Sequence, residues 1–128
     1  MVPYVDPGGL LARYYTLERG PRVCLRLVRG RDAAGVRALC ERRGTPLSEL
    51  GLARLIHFDL AAQLVLCATA LIDSAETVVG FGAIALADGR PLVPSLVVVD
   101  QALTEGLDSL LADALVAHGD WLLRARAA

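Results

Sequence analysis

Residues 92–119 read LVPSLVVVDQALTEGLDSLLADALVAHG, and the change of rhythm inside this stretch decides the fold class. Its opening residues, Leu92 to Val99, are apolar and rich in valine, which predicts a strand, with Pro94 marking a bulge or bend. After Val99 the period changes. Leu107, Leu110, Leu111, Ala114 and Leu115 recur at i, i+3, i+4, i+7 and i+8, so the segment is an amphipathic helix with one apolar face. His118-Gly119 closes that helix, with Gly119 as a C-cap. A strand therefore feeds directly into a helix.

Upstream, Asp88-Gly89 makes a tight turn and residues 77–86 form a returning strand, in which Gly80-Phe81-Gly82 reads as a bulge. Residues 73–76 are a turn. Residues 64–71 form a strand apolar on both faces and therefore central to a sheet. Two helices precede it. In the first, Asp32 caps residues 33–43, Val36, Leu39 and Cys40 share one face, and Gly44 stops the helix. In the second, Thr45 is the N-cap, Pro46 the first helical residue and Glu49 supports the cap. That helix carries Leu47, Leu50, Leu55 and Ile56, with Gly51 as its weak point. Residues 22–28 give the first strand. Residues 1–20 stand apart as an N-terminal arm, with a turn-rich start and a short helix through Leu10, Leu11, Tyr14, Tyr15 and Leu17 that caps the core. Residues 121–126 suggest a last short strand.

The result is an α/β (α+β) chain, strand-helix-helix-strand-strand-strand-helix-strand, with a mixed, mostly antiparallel sheet flanked by helices over residues 21–128. Its 128 residues make one domain. Hydrophobic residues form 55% of the chain, an excess that implies strands covered on both faces or a surface that meets another copy or another domain. The richest apolar stretch, residues 61–72, is too short for a bilayer helix of about 20 residues, and the first residues lack the pattern of a secretory signal. The expectation is a cytoplasmic protein without a membrane partner.

Net charge is −1, from 13 basic and 14 acidic residues, and every basic residue is arginine. Asp32 and Glu41 interrupt the dense basic group between Arg22 and Arg43, which reads as a solvated helix face and not as a nucleic-acid surface. Cys24, Cys40 and Cys67 each sit in apolar runs and read as small buried hydrophobes in a reducing compartment. They lack metal-ligand spacing, and His57 and His118 are remote from them in sequence. His57-x-Asp59 reads as a local capping pair, and neither Ser95 nor Ser109 stands in a nucleophile elbow. No residue is assigned a catalytic or metal-binding role.

The order of elements, together with residues 97–111, resembles the GNAT N-acetyltransferase family. In that family a strand ends in a loop of the form Q/R-x-x-G-x-G/A and the following helix carries a Leu-Leu pair, here Leu110-Leu111. Residues 47–68, with His57-Phe58-Asp59 before an apolar strand, are similar to the catalytic domain of bacterial protein-lysine acetyltransferases. The resemblance covers about residues 22–126. It implies acetyl-coenzyme A as cofactor, its pyrophosphate held by backbone N–H groups at a helix N-terminus. The candidate cofactor-binding residues it implies are Val97, Val99, Leu103, Thr104, Glu105, Gly106, Leu107 and Asp108.

The motif itself is altered. One register puts its first position on Leu103 and its last glycine on Asp108; another puts Gln101, Thr104 and Gly106 on its three positions. Neither restores it. Glu105 and Asp108 favour the helix start by about 0.3–1 kcal/mol each but repel a pyrophosphate. The strand glutamate used by several members falls on Val93, and the tyrosine that protonates the departing thiolate has no counterpart after Tyr15. With Ala128 as the last residue, the expectation is that the second half of the site is missing. Three functions are open on the sequence: a binding, regulatory or assembly module that has weakened or lost acetyl-coenzyme A, an active acetyl-coenzyme A-dependent N-acetyltransferase, and a small-ligand sensor. A homo-oligomer or a protein partner is expected.

Overall fold

The run of apolar residues after Ala62 forms the middle of the sheet. The computed structural model describes residues 13–17, 21–87, 89–101 and 104–127. Its elements are β1 (Arg13–Thr16), β2 (Arg22–Leu27), a 3₁₀ turn (Gly30–Asp32), α1 (Ala33–Arg42), α2 (Glu49–Ile56), β3 (Gln63–Ile72), β4 (Ala75–Ala85), β5 (Pro94–Val99) and α3 (Thr104–Ala127). The sheet order is β1-β2-β3-β4-β5, with every neighbour antiparallel. β3 is central and buried from Leu64 to Ala70, as a strand apolar on both faces demands. Asp73 and Ser74 turn the chain from β3 to β4 with φ of 51° and 66°, the left-handed geometry that a two-residue hairpin favours.

Each face of the sheet has its own core. On one face α3 lays Leu107, Leu111 and Leu115 over Leu64, Leu66, Val79 and Ile84, all buried. On the other, α1 and α2 contribute Val36, Leu39, Cys40, Leu52, Leu55 and Ile56 against Val65, Cys67 and Phe81. The mixed α+β architecture expected from the sequence is present.

Several local expectations change. Residues 13–16 are a strand and not helix: aromatic and β-branched Tyr14, Tyr15 and Thr16 pair with β2, and Tyr15 and Leu17 pack in the α3-side core. Residues 10–12 of the expected arm helix lie outside the described residues. The second helix begins at Glu49, because Ser48 is its cap and accepts from the Gly51 N–H at 3.0 Å. Leu47 then precedes the cap and packs in the same cluster as Leu52, a hydrophobic staple, while Leu50 is turned out and 61% exposed.

The last strand expected at residues 121–126 is helical, since α3 continues through Gly119 to Ala127. Gly119 is no C-cap. A Cβ there would meet Leu86 Cδ2 at 3.3 Å and Ile84 Cγ2 at 3.7 Å, so the glycine lets the helix lie close to the sheet. The bulge expected at Gly80-Phe81-Gly82 falls one residue earlier: Gly80 faces Ala68 and Val78 faces Thr69, leaving Val79 extra. At the other strand pair Ser95 is extra, beside Pro94 as expected, and its hydroxyl donates to the Ala83 carbonyl at 3.1 Å.

Gly80 and Gly82 are a notch that receives α3. A Cβ on Gly82 would stand 2.8 Å from Leu115 Cδ1 and 3.0 Å from the Leu96 carbonyl oxygen, and one on Gly80 would stand 2.9 Å from Leu111 Cδ1. The backbone contact at Gly82 leaves least room to yield. Gly82→Ala is expected to destabilise the fold by about 1–3 kcal/mol, seen as a lower Tm in thermal unfolding, with Gly30→Ala, which meets open space, near neutral.

Candidate functional site

At the junction of β5 and α3, the Asp100 N–H donates to the Val79 carbonyl at 2.7 Å, extending the β4–β5 ladder. Alternation along an antiparallel pair then puts Val99 and Val97 opposite Gly80 and Gly82 in non-hydrogen-bonded pairs. Their N–H and C=O groups turn away from β4, toward an edge that pairs with no strand among the described residues. Leu103 lies outside the described residues. Thr104 and Glu105 open α3, and their side chains lie outside the description.

Gly106 has φ +92°, a left-handed backbone that glycine alone adopts without strain, so the first turn of α3 is irregular. Leu107 is fully buried against the sheet and anchors the turn. Asp108 is exposed, and its carboxylate accepts from the Ser109 N–H at 2.8 Å. The early turns of α3 thus carry a carboxylate of the chain's own on a backbone N–H. The carboxylate of Asp100, at the same end of β5, is paired with the Arg42 guanidinium at 3.5 Å, and Arg43 lies beside them. Among the cofactor candidates, the structure brings Val97, Val99, Gly106, Leu107 and Asp108 to one end of the β5–α3 unit.

A second constellation was missed by the sequence reading. Arg26 in β2 is 4% exposed, and its guanidinium forks onto Asp32, with Nη1 donating to Oδ2 at 2.7 Å and Nη2 to Oδ1 at 2.8 Å. Nη2 also donates to Glu76 Oε1 at 2.6 Å, in the first residues of β4. Asp32 accepts the Arg29 N–H at 2.7 Å, so it braces the turn before α1 and makes no side-chain cap to the helix. The Cys67 thiol lies 3.8 Å from the same carboxylate. The available signal was Arg22-x-Cys24-x-Arg26: alternation puts these three on one face of a strand whose neighbour is apolar, where a charge requires a partner.

The electrostatics follow from burial and pairing. Burial pushes the Asp32 carboxyl up, but hydrogen bonds from Arg26 and from the Arg29 N–H, with the guanidinium charge, outweigh it and hold it below 3.8. The Asp32 hydrogen bond holds Arg26 firmly protonated. Burial pushes the Cys67 thiol up to about 12, so it is no nucleophile at neutral pH. Cys24 and Cys40 are also free and buried. Asp59 accepts locally from the Ala61 N–H at 2.9 Å, while His57 is exposed at the end of α2. Among the described residues no group of three or more acidic, histidine or cysteine side chains could hold a metal ion, and no helix is long and apolar enough to cross a membrane.

Two cavities share the Arg26 network as a wall. One, of about 310 Å³, lies between α1 and the β3–β4 hairpin and includes Arg31, Asp32, Thr69 and Glu76. The other, of about 540 Å³, lies over β1, β2 and the end of β3. A sensor with a closed apolar cavity beside the first helix was one expectation; the space beside α1 is charged and polar instead.

No family model matches this chain, and no curated protein matches it. Among solved structures, the crystal structure of the GNAT domain of S. lividans PAT superposes with a TM-score of 0.62 at 20% identity, covering 91% of this chain and 73% of that one. The chain has a GNAT-like fold.

Because Asp32 is held below its ordinary 3.8, its contribution to stability is present above that value and is lost as pH falls through the lower folded-state value. Asp32→Asn is expected to cost about 3 kcal/mol at neutral pH by leaving a buried guanidinium under-paired. Urea unfolding as a function of pH should show the wild-type acid limb below 3.8 shrink in this variant.

Proposed function

We propose that this chain is a GNAT-fold domain in which acetyl-coenzyme A binding is weakened or lost, and that it serves as an assembly module pairing with a second copy through β5. The observation that carries the reading is the exposed Asp108 carboxylate on the Ser109 N–H, which puts negative charge in the first turns of α3 from within the chain. A pyrophosphate brought there would meet that carboxylate and be repelled by it. The β5 edge supports the assembly role. Its six residues carry no charged side chain, its outward amides at Val97 and Val99 are a strand template, and Val93 beside it is 68% exposed. Two copies meeting antiparallel about a twofold axis would satisfy these groups mutually.

The same outward amides favour a second reading, an active acetyl-coenzyme A-dependent N-acetyltransferase with an unusual loop, in which an extended acyl-cofactor arm would hydrogen-bond along β5. Both readings use one edge and differ in its occupant.

Thermal-shift titration with acetyl-coenzyme A, with coenzyme A as control, separates them: the module predicts no saturable rise in Tm, the transferase a saturable one. Light scattering at high protein concentration is expected to give a dimer. Val97→Pro removes an outward N–H together with a partly buried side chain on the α3-side core, and is expected to give a less stable but folded monomer by circular dichroism. A wild-type chain that stays monomeric overturns the assembly role.

A further inference from the structure

We propose that the groove over β1, β2 and the end of β3 is a binding site for a small phosphate monoester carrying a flat apolar group. It lies on the side of the sheet remote from β5 and is independent of the role assigned to that edge.

The argument starts from Thr69. It is 4% exposed, it lines both cavities, and its hydroxyl makes no hydrogen bond to any described residue. A buried hydroxyl without a partner is costly and uncommon, so its persistence at the meeting of two cavities points to a ligand. Thr69 stands opposite Cys24 in the β2–β3 ladder, and the helical cover ends just beyond it: Leu71 is 72% exposed and Tyr14 60% exposed.

The walls define the ligand. Four arginines, Arg22, Arg26, Arg29 and Arg31, face one carboxylate, Glu76, in a groove of about 540 Å³, a volume suited to a small molecule. Arg26 is committed to Asp32 and Glu76 and forms a fixed floor, so the available positive charge of the groove comes from Arg22, Arg29 and Arg31. Arg31 is 60% exposed and only 3.6 Å from Glu76 in a loose contact, so its fork can turn to an incoming oxyanion. The Arg22 guanidinium lies 4.6 Å from the centre of the Tyr14 ring, which holds it at the rim while the exposed ring and Leu71 offer an apolar surface. A phosphate reaching Thr69 would accept from its hydroxyl and neutralise the excess charge. The ester group would then rest on Tyr14 and Leu71.

The test is calorimetric titration of the full chain with phenyl phosphate, inorganic phosphate and benzoate. Phenyl phosphate is expected to bind saturably and more tightly than the other two. Thr69→Val, which keeps the side-chain shape, is expected to weaken binding about fivefold while raising the unliganded Tm, because it removes the unpaired hydroxyl. Arg31→Gln should weaken binding about tenfold, and Arg54→Gln on α2 should leave it unchanged. No saturable binding at millimolar phenyl phosphate overturns the site. Benzoate binding more tightly overturns the phosphate class, and an unchanged affinity in Thr69→Val overturns the role of the hydroxyl.

Discussion

A guanidinium buried in a β-strand sets the terms for one whole side of this molecule. Arg26 cannot shed its charge, so each of its donors must find an acceptor inside the fold. Asp32 takes two, Glu76 takes one, and the Leu27 carbonyl accepts at 3.2 Å, which engages four of the five N–H groups. Because Asp32 also accepts from the Arg29 N–H, this cluster fixes the route from β2 into α1. Glu76 ties the start of β4 to the same point. The ion pair thus clamps β2, the turn before α1 and the remote start of β4, and both cavities of this face are shaped around it. Such a cluster adds little net stability over an apolar one, yet losing one member is severe, which makes it a device for specifying geometry.

The opposite face rests on close packing. Leu107, Leu111 and Leu115 are fully buried, each contributing about 1.5–3 kcal/mol of transfer free energy. They can approach β4 because Gly80 and Gly82 present no side chains, and Gly119 repeats the device one helical stretch later. Seating the helix this way positions its N-terminus beside the end of β5. What that end can bind is then a matter of its side chains. Asp108 places a carboxylate there while Asp100 is paired with Arg42, so a geometry suited to an anion carries one charge that opposes it.

Much of the architecture was legible in local pattern. The double-sided apolar run of β3, the turn at Asp73-Ser74, the extra residue beside Pro94 and the i, i+3, i+4 stripe of α3 each carry a signal within a few residues. Where the reading failed, local signals competed. Thr45-Pro46 and Ser48 both offer a helix start, and the winner was the one that placed Leu47 and Leu52 together in the core. Gly119 resembles a helix stop until the close sheet beneath it explains the missing side chain. Tyr14-Tyr15 suits either helix or strand alone, and pairing with β2 settled it. At the candidate cofactor site, Val97, Val99 and the acidic helix start were visible in sequence, but the outward direction of the valine amides depends on strand register.

By itself the sequence determined the order of elements, the two apolar faces of the central strands and the acid at the start of α3, because these depend on side-chain type and short-range period. Only the tertiary structure decided that Arg26 and Asp32 are buried partners, that the Thr69 hydroxyl meets two cavities with no partner among the described residues, and that no described strand pairs with the far side of β5. Those facts arise where segments tens of residues apart meet, as at Arg26 and Glu76, and there a charge or a hydroxyl takes its meaning from neighbours that no local spacing encodes.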